Sequence, residues 1–114
     1  MLVLIGGILY NLFNGKAGPL FDIEGRIIMD MIKVSANSRT SAVAGAIAGV
    51  VREHKRAEVQ AIGAGAVNQA VKALVLATGY LKGDDIHVVC VPEFVDVDID
   101  GKVRTAIKLV VEPR

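Results

Sequence analysis

An α/β two-layer sandwich, with a four-stranded mixed sheet and two helices on one face, is the fold class this sequence predicts. The first observation is a change of apolar period along the chain, from two to 3.6 and back, in the order β-α-β-α-β-β. The second is topological: right-handed crossovers place both helices of that order on the same face of one sheet. The third is compositional. The chain is 53% hydrophobic but only 4% aromatic, so its core is built from Val, Ile, Leu and Ala, which suit thin, closely packed layers. At 114 residues it is expected to hold one domain.

Residues 1–30 read as an atypical extension before a domain at 31–114. Met1 to Phe13 (MLVLIGGILYNLF) is apolar but shorter than the ~20 residues of a spanning helix. It lacks the basic start and small-residue cleavage site of a signal peptide. Asn14 to Pro19 breaks any helix, and Ile23-Glu24-Gly25-Arg26 is the tetrapeptide read by a tag-removing protease. Three readings stay open: sequence appended in cloning, a misassigned start with translation beginning at Met29 or Met31, or an added strand or short helix that covers an apolar patch.

From Met31 the elements follow one another closely. Met31 to Ala36 alternates as a half-buried strand, and Asn37 to Ser41 supplies turn and cap residues. Val43, Ile47, Val50, Val51 and His54 mark one face of a helix. Gly45 and Gly49 on that helix cost ~1 kcal/mol each relative to alanine, so a neighbour is expected to pack close there. Ala57 to Ile62 is a second strand. Val67, Ala70, Val71, Leu74 and Val75 mark a second helix that ends near Gly79. Ile86 to Val91 is a third strand, broken by Pro92. Phe94 to Ile99 and Val103 to Val111 then alternate as a hairpin.

The hairpin register follows from burial. A two-residue Asp100-Gly101 turn is the commonest type, but it sets Asp98 against Val103 and points charge at a core face. A three-residue loop, Ile99 to Gly101, instead opposes Val97 to Val103, Asp98 to Lys102 and Asp96 to Arg104, and it is preferred because a one-residue slip flips every side chain. Asp96, Asp98 and Asp100 then form a solvent face balanced by cross-strand cations. A metal site is the sharper reading and the weaker one, because hard cations want oxygens converging from several directions. No metal and no cofactor is expected.

The glycine turn Gly63-Ala64-Gly65 raises the question of a phosphate loop. It is no P-loop, since no Gly-Lys-Ser/Thr follows. The third position of a dinucleotide fingerprint is Asn68, and the chain is short for paired nucleotide-binding halves. The structural reading is stronger: Gly63 ends a strand and Gly65 permits a tight start to the helix. An enzyme is not indicated, because no nucleophile–base pair with a third member is visible. His54 and His87 read as structural or solvated. Cys90, in an apolar strand, reads as buried and inert.

The blocks KVSANS, SAVAGAIAGVVRE, AEVQAIGAGAVNQAVKAL and DIDGKVRTAIKLVVEPR closely resemble the stage V sporulation protein S family, over about residues 29–114. The resemblance implies an Alba-like fold, the same β-α-β-α-β-β order, in a bacterial, cytoplasmic, non-enzymatic regulator of sporulation. Alba proteins are small dimers that bind DNA or RNA. They carry a lysine pair after the first strand, where this chain has Asn37 and Ser38 followed by Arg39. They also carry arginines before the second helix, where this chain has uncharged Gly63 and Gly65.

What remains for a nucleic acid is Lys33, Ser35, Asn37, Ser38 and Arg39 near one helix N-terminus, and Asn68 and Lys72 near the other, with Lys102 and Arg104 flanking from the hairpin. Helix N-termini attract phosphate, though Ser38 or Thr40 could equally serve as an ordinary cap. Two function classes stay open. One is a dimeric nucleic-acid-binding regulator. The other is a protein-interaction module of the sporulation or cell-division machinery, favoured by a net charge of only +1. A symmetric homodimer through the second helix (Leu74, Val75, Leu76, Tyr80) and the last strands is expected, with no membrane partner.

Overall fold

The computed structural model describes the backbone of residues 2–5, 8–11 and 31–114, and side chains from Met31 onward. β1 (Leu2–Ile5) and β2 (Ile8–Asn11) pair antiparallel as a sheet of their own. The expectation that residues 1–30 cover an apolar patch lies outside the described residues.

The rest is the expected order: β3 (Met31–Val34), α1 (Thr40–His54), β4 (Ala57–Ala61), α2 (Ala64–Lys82), β5 (Val88–Ile99) and β6 (Lys102–Pro113). The sheet runs β3-β4-β6-β5, with β3 parallel to β4 and the other neighbours antiparallel. Alternation decides which residues enter the core. Ile32, Val34, Ala57, Val59, Ala61, Leu109 and Val111 lie in one cluster with the helices.

The two helices pack through small side chains. In α1 every residue from Ala42 to Val51 is buried, whereas the sequence marks only one apolar face. Bulk at Val43, Ile47, Val50 and Val51 identifies one side; Ala and Gly allow close neighbours on the others. The buried seam of α2 is Ala66, Ala70, Ala73, Ala77 and Leu81. The expected stripe is thus partly displaced, because Val71 and Val75 are exposed. Between closely approached helices alanine fits and valine does not. Nor does α2 end at Gly79. It continues to Lys82 because Leu81, two residues on, is fully buried and holds the last turn down.

The hairpin corrects the sequence reading most. The third strand begins at Val88 rather than Ile86, and β5 passes through Pro92 without a break. β5 is an edge strand, where the missing proline N–H need not leave a neighbour unpaired. The turn is the two-residue one: Ile99 pairs with Lys102, Asp98 with Val103, Val97 with Arg104 and Asp96 with Thr105. Asp100 and Gly101 both have positive φ, 52° and 80°, as a type I′ turn requires. The argument from burial fails because it assumes a core face at this point. β4 pairs with β6 only from Ile107 to Val111, and Lys102 to Thr105 are all exposed. With nothing to bury, turn chemistry sets the register.

Candidate nucleic-acid interface

The site is built at the end of the sheet where β3 and β4 finish and both helices begin. Leaving β3, the chain turns on its own serines. Ser35 N–H donates to Ser38 Oγ at 2.9 Å, Ser38 N–H donates to Ser35 O at 3.1 Å, and Asn37 N–H donates to Ser35 Oγ at 3.3 Å. Those bonds occupy the Ser38 hydroxyl within the turn. The residue at the N-cap of α1 is Arg39, and it makes no side-chain capping bond. Thr40 Oγ1 instead accepts from Gln69 Nε2 at 3.3 Å. Neither hydroxyl expected to cap α1 therefore does so.

The start of α2 is equally bare. Gly63 is its N-cap, with no side chain to offer and with φ 91°, ψ 158°, a conformation confined essentially to glycine. The first intrahelical bonds are Val43 N–H to Arg39 O and Val67 N–H to Gly63 O, each 3.0 Å. Ahead of them, each helix start carries N–H groups that have no intrahelical acceptor. Gln69 holds the two starts together. Its Nε2 donates to Ser38 O at 2.8 Å as well as to Thr40 Oγ1. Gly65 lies directly against Ala36. The opening of α2 is thus bound to the loop that opens α1.

The register of the hairpin governs its charge. With Ile99 opposite Lys102 and Val97 opposite Arg104, the two cations share the sheet face turned away from the helices with Lys33. Asp96 and Asp98 lie on the helix side, where Asp96 Oδ1 accepts from the Thr105 hydroxyl at 3.4 Å and Asp98 Oδ1 from Gly101 N–H at 3.0 Å. The ion pairs expected between these acids and Lys102 or Arg104 do not form, since the pleat separates them.

Among the described residues, Lys33, Arg39, Lys72, Lys102 and Arg104 enter no ion pair. Other cations are engaged. Arg52 meets Asp84 at 2.6 Å, and Arg56 meets Glu58 and Glu112 at 3.4 and 3.3 Å. Lys108 meets Glu58 at 3.2 Å and Glu93 at 3.5 Å. Its pKa is pushed up, first by the hydrogen bond and charge of Glu58 and then by Glu93, against some desolvation.

Not every expected site residue converges. Ser35, Asn37, Ser38 and Arg39 form the loop beside the α2 start; Asn68 and Lys72 are exposed one turn apart on α2 itself. Lys33, Lys102 and Arg104 belong to the opposite side of the sheet. Two contributors escaped the sequence reading as site residues. Gln69 offered its position in the first turn of α2 as a signal. Gln60 gave none, since alternation in β4 assigns it to solvent, yet it is buried. Cys90 errs the other way: it is exposed on the edge strand, and partial burial pushes its thiol pKa up. His87 lies just before β5, with Nε2 3.6 Å from an Asp85 oxygen, and His54 ends α1.

Among the described residues no three His, Cys, Asp or Glu side chains converge as a metal site, and no helix is long and apolar enough to cross a membrane. Compared with known families, residues 30–114 match the family model described as Stage V sporulation protein S (SpoVS). The match spans both helices and the whole four-stranded sheet.

Proposed function

The chain belongs to the stage V sporulation protein S family, which gives it a sporulation-related role, and from that premise we propose that it is a non-enzymatic, dimeric nucleic-acid-binding regulator. The observation that carries this reading is the pairing of two uncapped helix starts with cations that have no acidic partner among the described residues. Free N–H groups and helix dipoles favour phosphate. Arg39 and Lys72 stand beside those starts, while Lys102 and Arg104 make a separate positive surface on the opposite side of the sheet. A net charge of +1 makes the contact local rather than a general coat. The dimer is supported by apolar surface without cover among the described residues: Val71, Val75, Leu76 and Tyr80 on α2, and Phe94 and Val103 on the hairpin. A symmetric pairing of that surface doubles the phosphate contacts.

The test is binding of the full chain to duplex DNA and single-stranded RNA across a salt series, beside the Arg39→Ala, Lys72→Ala double variant. Affinity should fall steeply with salt, and the variant should show a slope shallower by about two phosphate contacts. Absence of binding even at low salt selects the alternative, a protein-interaction module of the sporulation or division machinery. Light scattering on the same samples should give twice the 12.0 kDa chain mass.

A further inference from the structure

The tip of the hairpin returns to the carboxyl ends of β3 and β4, and between them lies an open cavity of about 510 Å³. That size falls within the ~300–1,000 Å³ of small-molecule sites. Val34, Ile62, Val97 and Ile99 give it apolar walls, and its polar lining includes Lys33, Gln60, Asp98 and Asp100. We propose that this cavity is a nucleobase pocket that takes a base bearing an exocyclic amino group; the inference rests on the nucleic-acid reading above.

Gln60 is the main argument. It is only 7% exposed, and among the described residues its side-chain amide has no hydrogen-bond partner. Neither amide atom is sealed from the surface, and the cavity is the space Gln60 lines. That amide is open to the cavity with its donor and its acceptor both unbonded among the described residues, so it can pair with a donor and an acceptor that enter together. A base edge presents both side by side, and glutamine pairs with such an edge through two bonds.

The charges select among bases. Asp100, in the turn that lines the cavity, offers a carboxylate acceptor, which suits an exocyclic amino donor such as that of cytosine. Asp98 also lines the cavity, but it lies on the helix side of the pleat and one of its oxygens is taken by Gly101 N–H. Two carboxylates against one ammonium disfavour a phosphate deep in the cavity, whereas exposed Lys33 can meet the phosphate beside the base. The apolar walls cover the base faces. A base seated this way has left any duplex stack, so the pocket fits single strands better than duplexes.

The experiment is calorimetric titration of the full chain with cytidine, uridine, oligo-dC and oligo-dT at low and physiological salt. Cytidine should bind about tenfold more tightly than uridine, without salt dependence, and oligo-dC should exceed oligo-dT by a similar factor. Gln60→Leu should erase the preference, with its thermal unfolding recorded beside it. Asp100→Asn, in the exposed turn, should reduce the preference with the fold undisturbed. Equal or absent binding of the two nucleosides overturns the pocket. If the oligomers then still bind with a steep salt slope, the nucleic-acid reading stands alone. Cytidine binding without oligomer binding keeps the pocket, assigns it to a free nucleoside and removes the nucleic-acid reading.

Discussion

Gly65 stands so close to Ala36 that a Cβ built on it would lie 2.9 Å from the Ala36 Cβ. This contact, not a phosphate cradle, is what the second glycine of the turn provides. It lets the first turn of α2 press against the loop that leads into α1, where Gln69 completes the join.

A pair of substitutions separates that packing role from simple helix propensity. Gly65→Ala forces a Cβ against an atom fixed to backbone and should destabilise the chain by ~1–3 kcal/mol. Gly79→Ala, in the same helix, meets nothing within 4 Å and should stabilise by ~0.5–1 kcal/mol. Urea denaturation of both variants gives the comparison. A neutral or stabilising Gly65→Ala would show that Ala36 can yield.

The turn Asp100-Gly101 should be sensitive at one residue and tolerant at the other. Asparagine accepts positive φ, so Asp100→Asn should leave the hairpin intact. Gly101→Val places a β-branched side chain at φ 80°, at a cost of about 1–2 kcal/mol. Because Lys102 to Thr105 lie beyond the packed sheet, the loss should be local. Amide exchange should quicken from Val95 to Thr105 while the core amides and the unfolding midpoint change little. A matching global loss would mean that the arm is coupled to the core.

Lys108 supplies a pH prediction. Glu58 and Glu93 hold its ammonium charged above the ordinary lysine range. The folded pKa is raised, so the contribution to stability is complete below the ordinary lysine value and is lost as pH rises through the raised one. The stability gap between the native chain and Lys108→Met should therefore be constant at neutral pH and close under strongly alkaline conditions. A gap that closes on acidification, before the carboxylates titrate, would contradict the assignment.

The elements were legible because their signals are local. Period-two runs at Met31–Val34 and Ala57–Ala61, and helical recurrence from Val43 to Val51, need only neighbours in sequence to be read. The candidate site was legible in part for the same reason. The loop at Ser35–Arg39 and the start of α2 announce themselves through turn residues and glycines, whereas their junction through Gln69 joins residues about thirty positions apart. Cys90 was misplaced, and Gln60 gave no signal of its burial, because alternation reports which face a side chain takes, not what covers that face. Pro92 was misread because a proline's effect on a strand depends on whether the strand is an edge.

By itself the sequence determined the order of elements, the aliphatic two-layer fold and the glycine-rich helix start, since periodicity and backbone conformation are properties of short segments. Tertiary structure alone decided the hairpin register, the alanine seam between the helices, the separation of Lys102 and Arg104 from Asp96 and Asp98, and the cavity around Gln60. Each of those depends on where a second segment lies. At the hairpin tip no core was present to enforce alternation, and the two residues of the turn chose instead.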